Sequence, residues 1–131
     1  MALEDPIQLK LLKRVRARGT RHLPGEMNSV EREYAAHLKL LEHAGEVEWW
    51  MFEGIKLRLA DNCFFTPDFF VMLTDGTLEV HEVKGTWRKD GKEFPHIEDD
   101  AAVKLRVASA MFPFRVKLVW KRAGKWTEEE R

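Results

Sequence analysis

Three short stretches of this chain hold residue types that could do chemistry together. Pro67-Asp68 stands at the head of an apolar run, Phe69 to Leu73. Glu82-Val83-Lys84 closes the next apolar run, with thirteen residues between Asp68 and Glu82. Glu31 lies upstream in a stretch of helical pattern. Two carboxylates and a lysine at neighbouring strand ends suit a hard divalent cation. Mg²⁺ prefers oxygen ligands, keeps several waters, and usually takes one or two carboxylates plus a substrate phosphate. A lysine in that setting can orient an attacking water and offset charge developing on phosphate.

Whether these groups can meet depends on the turn between the two runs, Leu73-Thr74-Asp75-Gly76-Thr77. A two-residue turn at Asp75-Gly76 would pair Thr74 with Thr77 and set Asp68 against Val83. Opposed residues share a sheet face, so Glu82 and Lys84 would then lie on the wrong one. A three-residue loop with Gly76 left-handed pairs Leu73 with Thr77 instead. Asp68 then lies opposite Glu82, Phe70 pairs with Val80 and Met72 with Leu78. Both turns are compatible with the sequence. Only the second builds a site without an additional bulge, and that register is the expected one.

The elements that must position these residues follow from periodicity. A helix is expected from Ser29, with Asn28 as N-cap and Glu31 at the capping-box position. Tyr34, Ala35, Leu38 and Leu41 form its apolar stripe, and Gly45 stops it. Capping alone would explain Glu31, but it does not exclude a role in chemistry. Val47 to Leu59 reads as one long or bent strand, broken near Gly54; Phe64 to Leu73 as a second, with Pro67 marking an edge, a bulge or a strand start; and Thr77 to Lys84 as a third. Gly85 to Glu98 reads as a polar loop. Asp99 to Phe112 reads as a helix stopped by Pro113, and Phe114 to Lys121 as a last strand. The expected fold is α/β. An antiparallel three-strand meander and a strand arriving by a helical crossover make a mixed four-stranded sheet flanked by helices. Residues 1–27 form a basic N-terminal arm, 28–121 the folded domain and 122–131 a solvated tail.

Composition narrows the function classes. The 131 residues fit one domain, and 44% are apolar, which excludes wholesale disorder. Lys+Arg and Asp+Glu are both 22, so bulk charge cannot hold a polyanion and cations must be concentrated locally. The densest cluster is Lys10, Lys13, Arg14, Arg16, Arg18 and Arg21, with no acid among them. The single cysteine, Cys63, reads as a small buried hydrophobe and excludes an intrachain disulfide. The histidines show no ligand spacing, and His81 should point away from Glu82. Trp49, Trp50, Phe52, Val103, Val107 and Met111 read as core. No membrane span is expected, and Met1 to Pro6 does not resemble a secretory signal, so a cytoplasmic location is expected.

Pro67-Asp68 followed by Glu82-Val83-Lys84, with a helical Glu31 upstream, resembles the PD-(D/E)XK nuclease signature. The element order resembles that superfamily's restriction-endonuclease-like core, over residues 28–121. The strings Thr-Pro-Asp-Phe and Glu-Val-Lys-Gly are similar to those of small phage-type endonucleases and Holliday-junction resolvases. Thr66 to Phe69 with Glu31 upstream also looks like the nuclease subunit of some heteromeric transposases. The resemblance implies Mg²⁺-dependent hydrolysis of phosphodiester bonds in DNA, with Mn²⁺ as substitute. The substrate would be branched or structured DNA in phage recombination or repair, in the cytoplasm of a bacterial or phage-infected cell. Asp68, Glu82, the Val83 carbonyl and Glu31 would hold the metal, and Lys84 would position the nucleophile.

On that reading the arm cations become DNA contacts. So do Trp87, Arg88 and Lys89, which follow Lys84, and Lys104 and Arg106 on the later helix. Each also has a plain reading as a solvated surface residue or, for Trp87, a loop side chain packed on the sheet. A homodimer or a partner recombination protein stays open. Competing readings are a partner-dependent nuclease subunit of a transposition or packaging complex, and a non-catalytic DNA-binding module.

Overall fold

A computed structural model of the protein describes residues 25–131. The expected basic arm lies almost wholly outside the described residues, and with it Lys10, Lys13, Arg14, Arg16, Arg18 and Arg21.

Helix α1 spans Ser29–His43. Asn28 Oδ1 accepts from the Glu31 N–H and Glu31 Oε1 accepts from the Asn28 N–H, both at 2.8 Å, which is the reciprocal capping box. At the other end the Glu46 N–H reaches the Leu41 carbonyl and the Gly45 N–H that of Glu42. Gly45, at φ 78°, supplies the left-handed residue this closure needs.

The strands are β1 (Val47–Phe52), β2 (Leu57–Ala60), β3 (Cys63–Phe65), β4 (Phe69–Leu73), β5 (Leu78–Val83), β6 (Thr86–Lys89) and β7 (Lys92–Pro95). Helix α2 (Asp99–Met111), β8 (Arg115–Arg122) and β9 (Lys125–Glu130) complete the chain. The main sheet has the order β1-β4-β5-β8-β9. β5 and β8 run parallel and the other neighbours antiparallel.

The α/β class and the mixed sheet are as expected, but the sheet has five strands, not four. The expected solvated tail is β9. An edge strand can be almost entirely polar, because one face meets solvent and only Trp126 must pack. That ring lies 4.8 Å from Tyr34, while Glu128 and Glu130 pair across the ladder with Lys117 and Arg115. The Ala123-Gly124 turn has both residues at positive φ, the hairpin geometry that matches strand twist. The expected Gly85–Glu98 loop is likewise ordered as the β6–β7 hairpin, turned at Asp90-Gly91 with φ 53° and 75°. The long strand expected from Val47 divides: β1 ends at Phe52, Glu53 turns left-handed, and β2 pairs with β3 in a separate hairpin.

Alternation along the central strands sends two sets of side chains to two faces. On one, Phe69, Val71, Val83 and Val119 pack with Tyr34, Ala35 and Leu38 of α1. On the other, Val80, Val116, Leu118 and Trp120 pack with Leu105 and Ala108 of α2 and with Leu57, Leu59 and Phe65 of the β2–β3 hairpin. Fully buried residues such as Leu38, Phe69 and Leu118 each contribute about 1.5–3 kcal/mol. Three residues expected in the core are exposed instead: Trp49, at an edge strand, and Val103 and Met111, which lie 59% and 53% open on α2. The α2 pattern admits two stripes, and Leu105 and Ala108 face the sheet. Cys63 is half-buried against the α2-side core rather than enclosed.

Candidate functional site

The β4–β5 register decides what meets at the sheet's rim. Phe70 pairs with Val80 and Met72 with Leu78. The Leu73 N–H donates to the Thr77 carbonyl at 2.9 Å, the Gly76 N–H closes the loop onto the Leu73 carbonyl, and Gly76 has φ 90°. This is the three-residue loop. It leaves Asp68, one residue before β4, against the end of β5. The Asp68 N–H donates to Glu82 Oε1 at 3.1 Å, and the Val83 N–H donates to Asp68 Oδ2 at 2.8 Å. Pro67, fully buried, fixes the chain just before Asp68 and has no N–H to compete for these acceptors.

Lys84 Nζ stands 3.4 Å from Glu82 Oε2, with its side chain partly open to solvent. Glu31 approaches from α1. One of its oxygens is held by the cap, and its carboxyl is near enough to that of Asp68 to act on its charge. The capping box and membership of the carboxyl cluster are therefore compatible, because the cap fixes the side chain that faces Asp68.

Burial raises the Asp68 carboxyl well above the usual carboxylate range, and the charges of Glu82 and then Glu31 push the same way. The Val83 N–H opposes this only in part. Burial also raises Glu82, against the pull of the Lys84 ammonium and the Asp68 N–H. Three acids thus crowd together with one lysine, and burial and like charge both favour the protonated form of Asp68. A further positive charge beside them would favour the ionised form of both Asp68 and Glu82.

An open cleft of about 760 Å³ lies over Glu31, Asp68 and Lys84, while Glu82 reaches it only through its contacts with Asp68 and Lys84. Its walls are the first turn of α1 (Asn28 to Glu31), Asp68, the stretch Val83 to Thr86, His96, and the start of α2 at Glu98 and Ala101. The first turn of a helix presents unpaired N–H groups and the positive end of its dipole, an environment that favours anions.

Of the site residues expected from sequence, Glu31, Asp68, Glu82, Val83 and Lys84 come together here. Trp87, Arg88 and Lys89 stand on the β6–β7 hairpin beyond the cleft, which takes Thr86 and His96 from the hairpin's base. Lys104 and Arg106 lie along α2 past Ala101 and do not line the cleft wall. Thr86 and His96 are cleft residues the sequence reading missed. The signal was Asp90-Gly91, a strong hairpin turn that would have brought the two ends of the supposed loop together.

Among the described residues no three His, Cys, Asp or Glu side chains are arranged as ligands around one point. The carboxyls of Glu31, Asp68 and Glu82 nevertheless offer oxygen, and the two adjacent ones, Asp68 and Glu82, match what Mg²⁺ takes from protein when waters and phosphate supply the rest.

His81 points to the opposite face, as expected. The Tyr34 hydroxyl lies 2.6 Å from its Nδ1 and Glu79 Oε1 lies 2.8 Å from its Nε2, which therefore carries the proton. Glu79, almost fully buried, also pairs with Lys117 at 3.2 Å. This network belongs to the α1 side of the sheet and is separate from the cleft.

Comparison of the chain with family models, with curated proteins and with solved structures gives no significant match.

Proposed function

We propose that the protein is a Mg²⁺-dependent nuclease of the PD-(D/E)XK kind, hydrolysing phosphodiester bonds in DNA at the Asp68–Glu82–Lys84 rim. The observation that supports this reading most is the three-residue Thr74-Asp75-Gly76 loop. It sets the register that brings two carboxyls from neighbouring strands together beside a lysine, under an open cleft. A register one residue different would have sent Glu82 and Lys84 to the far face.

Asp68 and Glu82 would hold the cation, with Glu31 and the Val83 carbonyl beside them. A divalent cation there supplies Lewis-acid polarisation of a phosphoryl oxygen and lowers the pKa of water. The chain's own residues do the rest. Glu31, tied to the cap, keeps the Asp68 side chain in place. Lys84 presents an ammonium at the cleft, where it donates a hydrogen bond to water or to a phosphate oxygen and offsets negative charge as it develops. The first turn of α1 favours a phosphate in the cleft.

The test is a cleavage panel of junction, flap, duplex and single-stranded DNA with Mg²⁺, run beside Asp68→Ala. Cleavage of at least one substrate by the wild type and none by the variant is expected. Equal nicking by both proteins, or none by either, would remove the reading for the isolated chain.

A further inference from the structure

The β6–β7 hairpin rises from the cleft with its two faces differently made. Its register pairs Thr86 with Pro95, Trp87 with Phe94, Arg88 with Glu93 and Lys89 with Lys92. Opposed residues share a face and alternate pairs change face. One face therefore carries Thr86, Pro95 and the Arg88–Glu93 ion pair, at 3.3 Å. The other carries Trp87, Phe94, Lys89 and Lys92, with no acid between them.

On that second face the Trp87 and Phe94 rings lie 5.3 Å apart, tilted by 33°. They remain 44% and 39% exposed. Lys89 and Lys92 stand directly opposite each other beside the turn, both exposed. Like charges opposed across a ladder destabilise a hairpin, and so does apolar area left in water. Aromatic rings with cations beside them are what single-stranded nucleic acid needs: a face on which any base stacks, and positive charge for its phosphates. Trp87 is only three residues beyond Lys84, at most about 11 Å of chain.

We propose that this face of the hairpin is a stacking platform for unpaired nucleotides next to the bond being cut. Trp87 and Phe94 take the base, and Lys89 and Lys92 the adjoining phosphates. The inference rests on the nuclease reading of the cleft and narrows it, since it selects substrates with unpaired bases near the scissile phosphate. It also separates Trp87 from Arg88: Trp87 belongs to the binding face, and Arg88 to the ion pair behind it.

The test measures binding of a fluorescent single strand, the same strand carrying abasic sites, and a blunt duplex, all in EDTA so that no cleavage intervenes. Trp87→Ala should weaken single-strand binding about tenfold or more, and Phe94→Ala several-fold. Trp87→Phe should keep most of the affinity, and duplex binding should change less than twofold. The abasic strand should bind the wild type weakly and lose nothing further in Trp87→Ala. Unchanged single-strand affinity in both alanine variants would overturn the proposal. So would an equal loss on the abasic strand or on the duplex. Cleavage in Mg²⁺ is read separately. A wild type that cuts DNA while Trp87→Ala binds normally removes the platform and keeps the nuclease. A wild type that binds single strands through Trp87 but cuts nothing keeps the platform and removes the nuclease.

Discussion

Asp68 sits among groups of its own sign, and that placement has a thermodynamic consequence. Burial, Glu82 and Glu31 hold its carboxyl above its ordinary value in the folded chain, so folding favours the protonated form. A group raised in this way contributes stability that is whole below its ordinary pKa, ~3.9 for aspartate, and is lost as pH rises above it. Asp68→Asn should remove that loss. Without divalent cation the variant should be more stable than the wild type by about 1 kcal/mol at about pH 8, a gain typical of relieving a strained functional site. The difference should shrink towards pH 4, as thermal melts in EDTA at both pH values would show. A wild type as stable as the variant at the higher pH would mean the acids do not repel one another. Lys84 makes the complementary case. Its side chain is partly solvated and touches the cluster only through Glu82, so Lys84→Ala should leave the melting temperature and cation binding close to wild type. If its ammonium offsets charge on a reacting phosphate, the same variant should lose cleavage by about 10²-fold or more. Rates near wild type would show that it only partners Glu82.

At the scale of elements, the α1 side of the sheet is held by a polar chain: Tyr34, His81 and Glu79, all buried, then Lys117, with Glu128 at its solvent-exposed end. Burial alone would raise Glu79. The hydrogen bond of His81, then the charge and hydrogen bond of Lys117, bring it below the ordinary glutamate value. A depressed carboxylate contributes stability that is present above its ordinary pKa, ~4.3, and is lost as pH falls through its lower folded value. Glu79→Gln should therefore flatten the acid limb of the stability profile. It should also cost about 1–2 kcal/mol at neutral pH, by weakening the hydrogen bonds that His81 and Lys117 make to a charged acceptor, while Lys117 keeps Glu128. Urea melts across the acid range would measure both. How far the elements could be read in advance follows the same physics. The α1 helix, the β4–β5 turn and α2 were legible because a cap, a left-handed glycine and an apolar stripe are local signals. The Asp68–Glu82 proximity was legible because register converts a turn type into a face. The β6–β7 hairpin was missed although Asp90-Gly91 announced it, because half of its strand residues are charged and each strand is only four residues long. β9 was missed because an edge strand needs one packed side chain, Trp126, and salt bridges supply the rest. Val103 and Met111 were misplaced because α2 offers two apolar stripes and only the neighbouring Val80, Val116 and Leu118 decide between them.

At the scale of the whole molecule, the charges balance at 22 of each sign, so contact with a polyanion must come from local concentrations of cations. Among the described residues no helix is long and apolar enough to cross a membrane. The largest basic concentration, Lys10 to Arg21, precedes the described residues, and Glu31, Asp68, Glu82 and Lys84 all lie beyond it. Removing residues 1–22 should therefore leave the fold and the cleft in place. If the arm grips phosphates, the removal should weaken DNA binding and lower the salt-dependence slope by roughly 0.9 per lost contact. An unchanged slope in a salt titration would assign the arm another role. The claim on which the rest depends is that Asp68 and Glu82 together hold a divalent cation, and a crystal soaked in Mn²⁺ tests it most directly. The expected result is an anomalous peak at the rim between these two carboxylates, in contact with both, and none there in Asp68→Ala. A saturated crystal with no peak at the rim, or with the two side chains on opposite faces of the sheet, would contradict it.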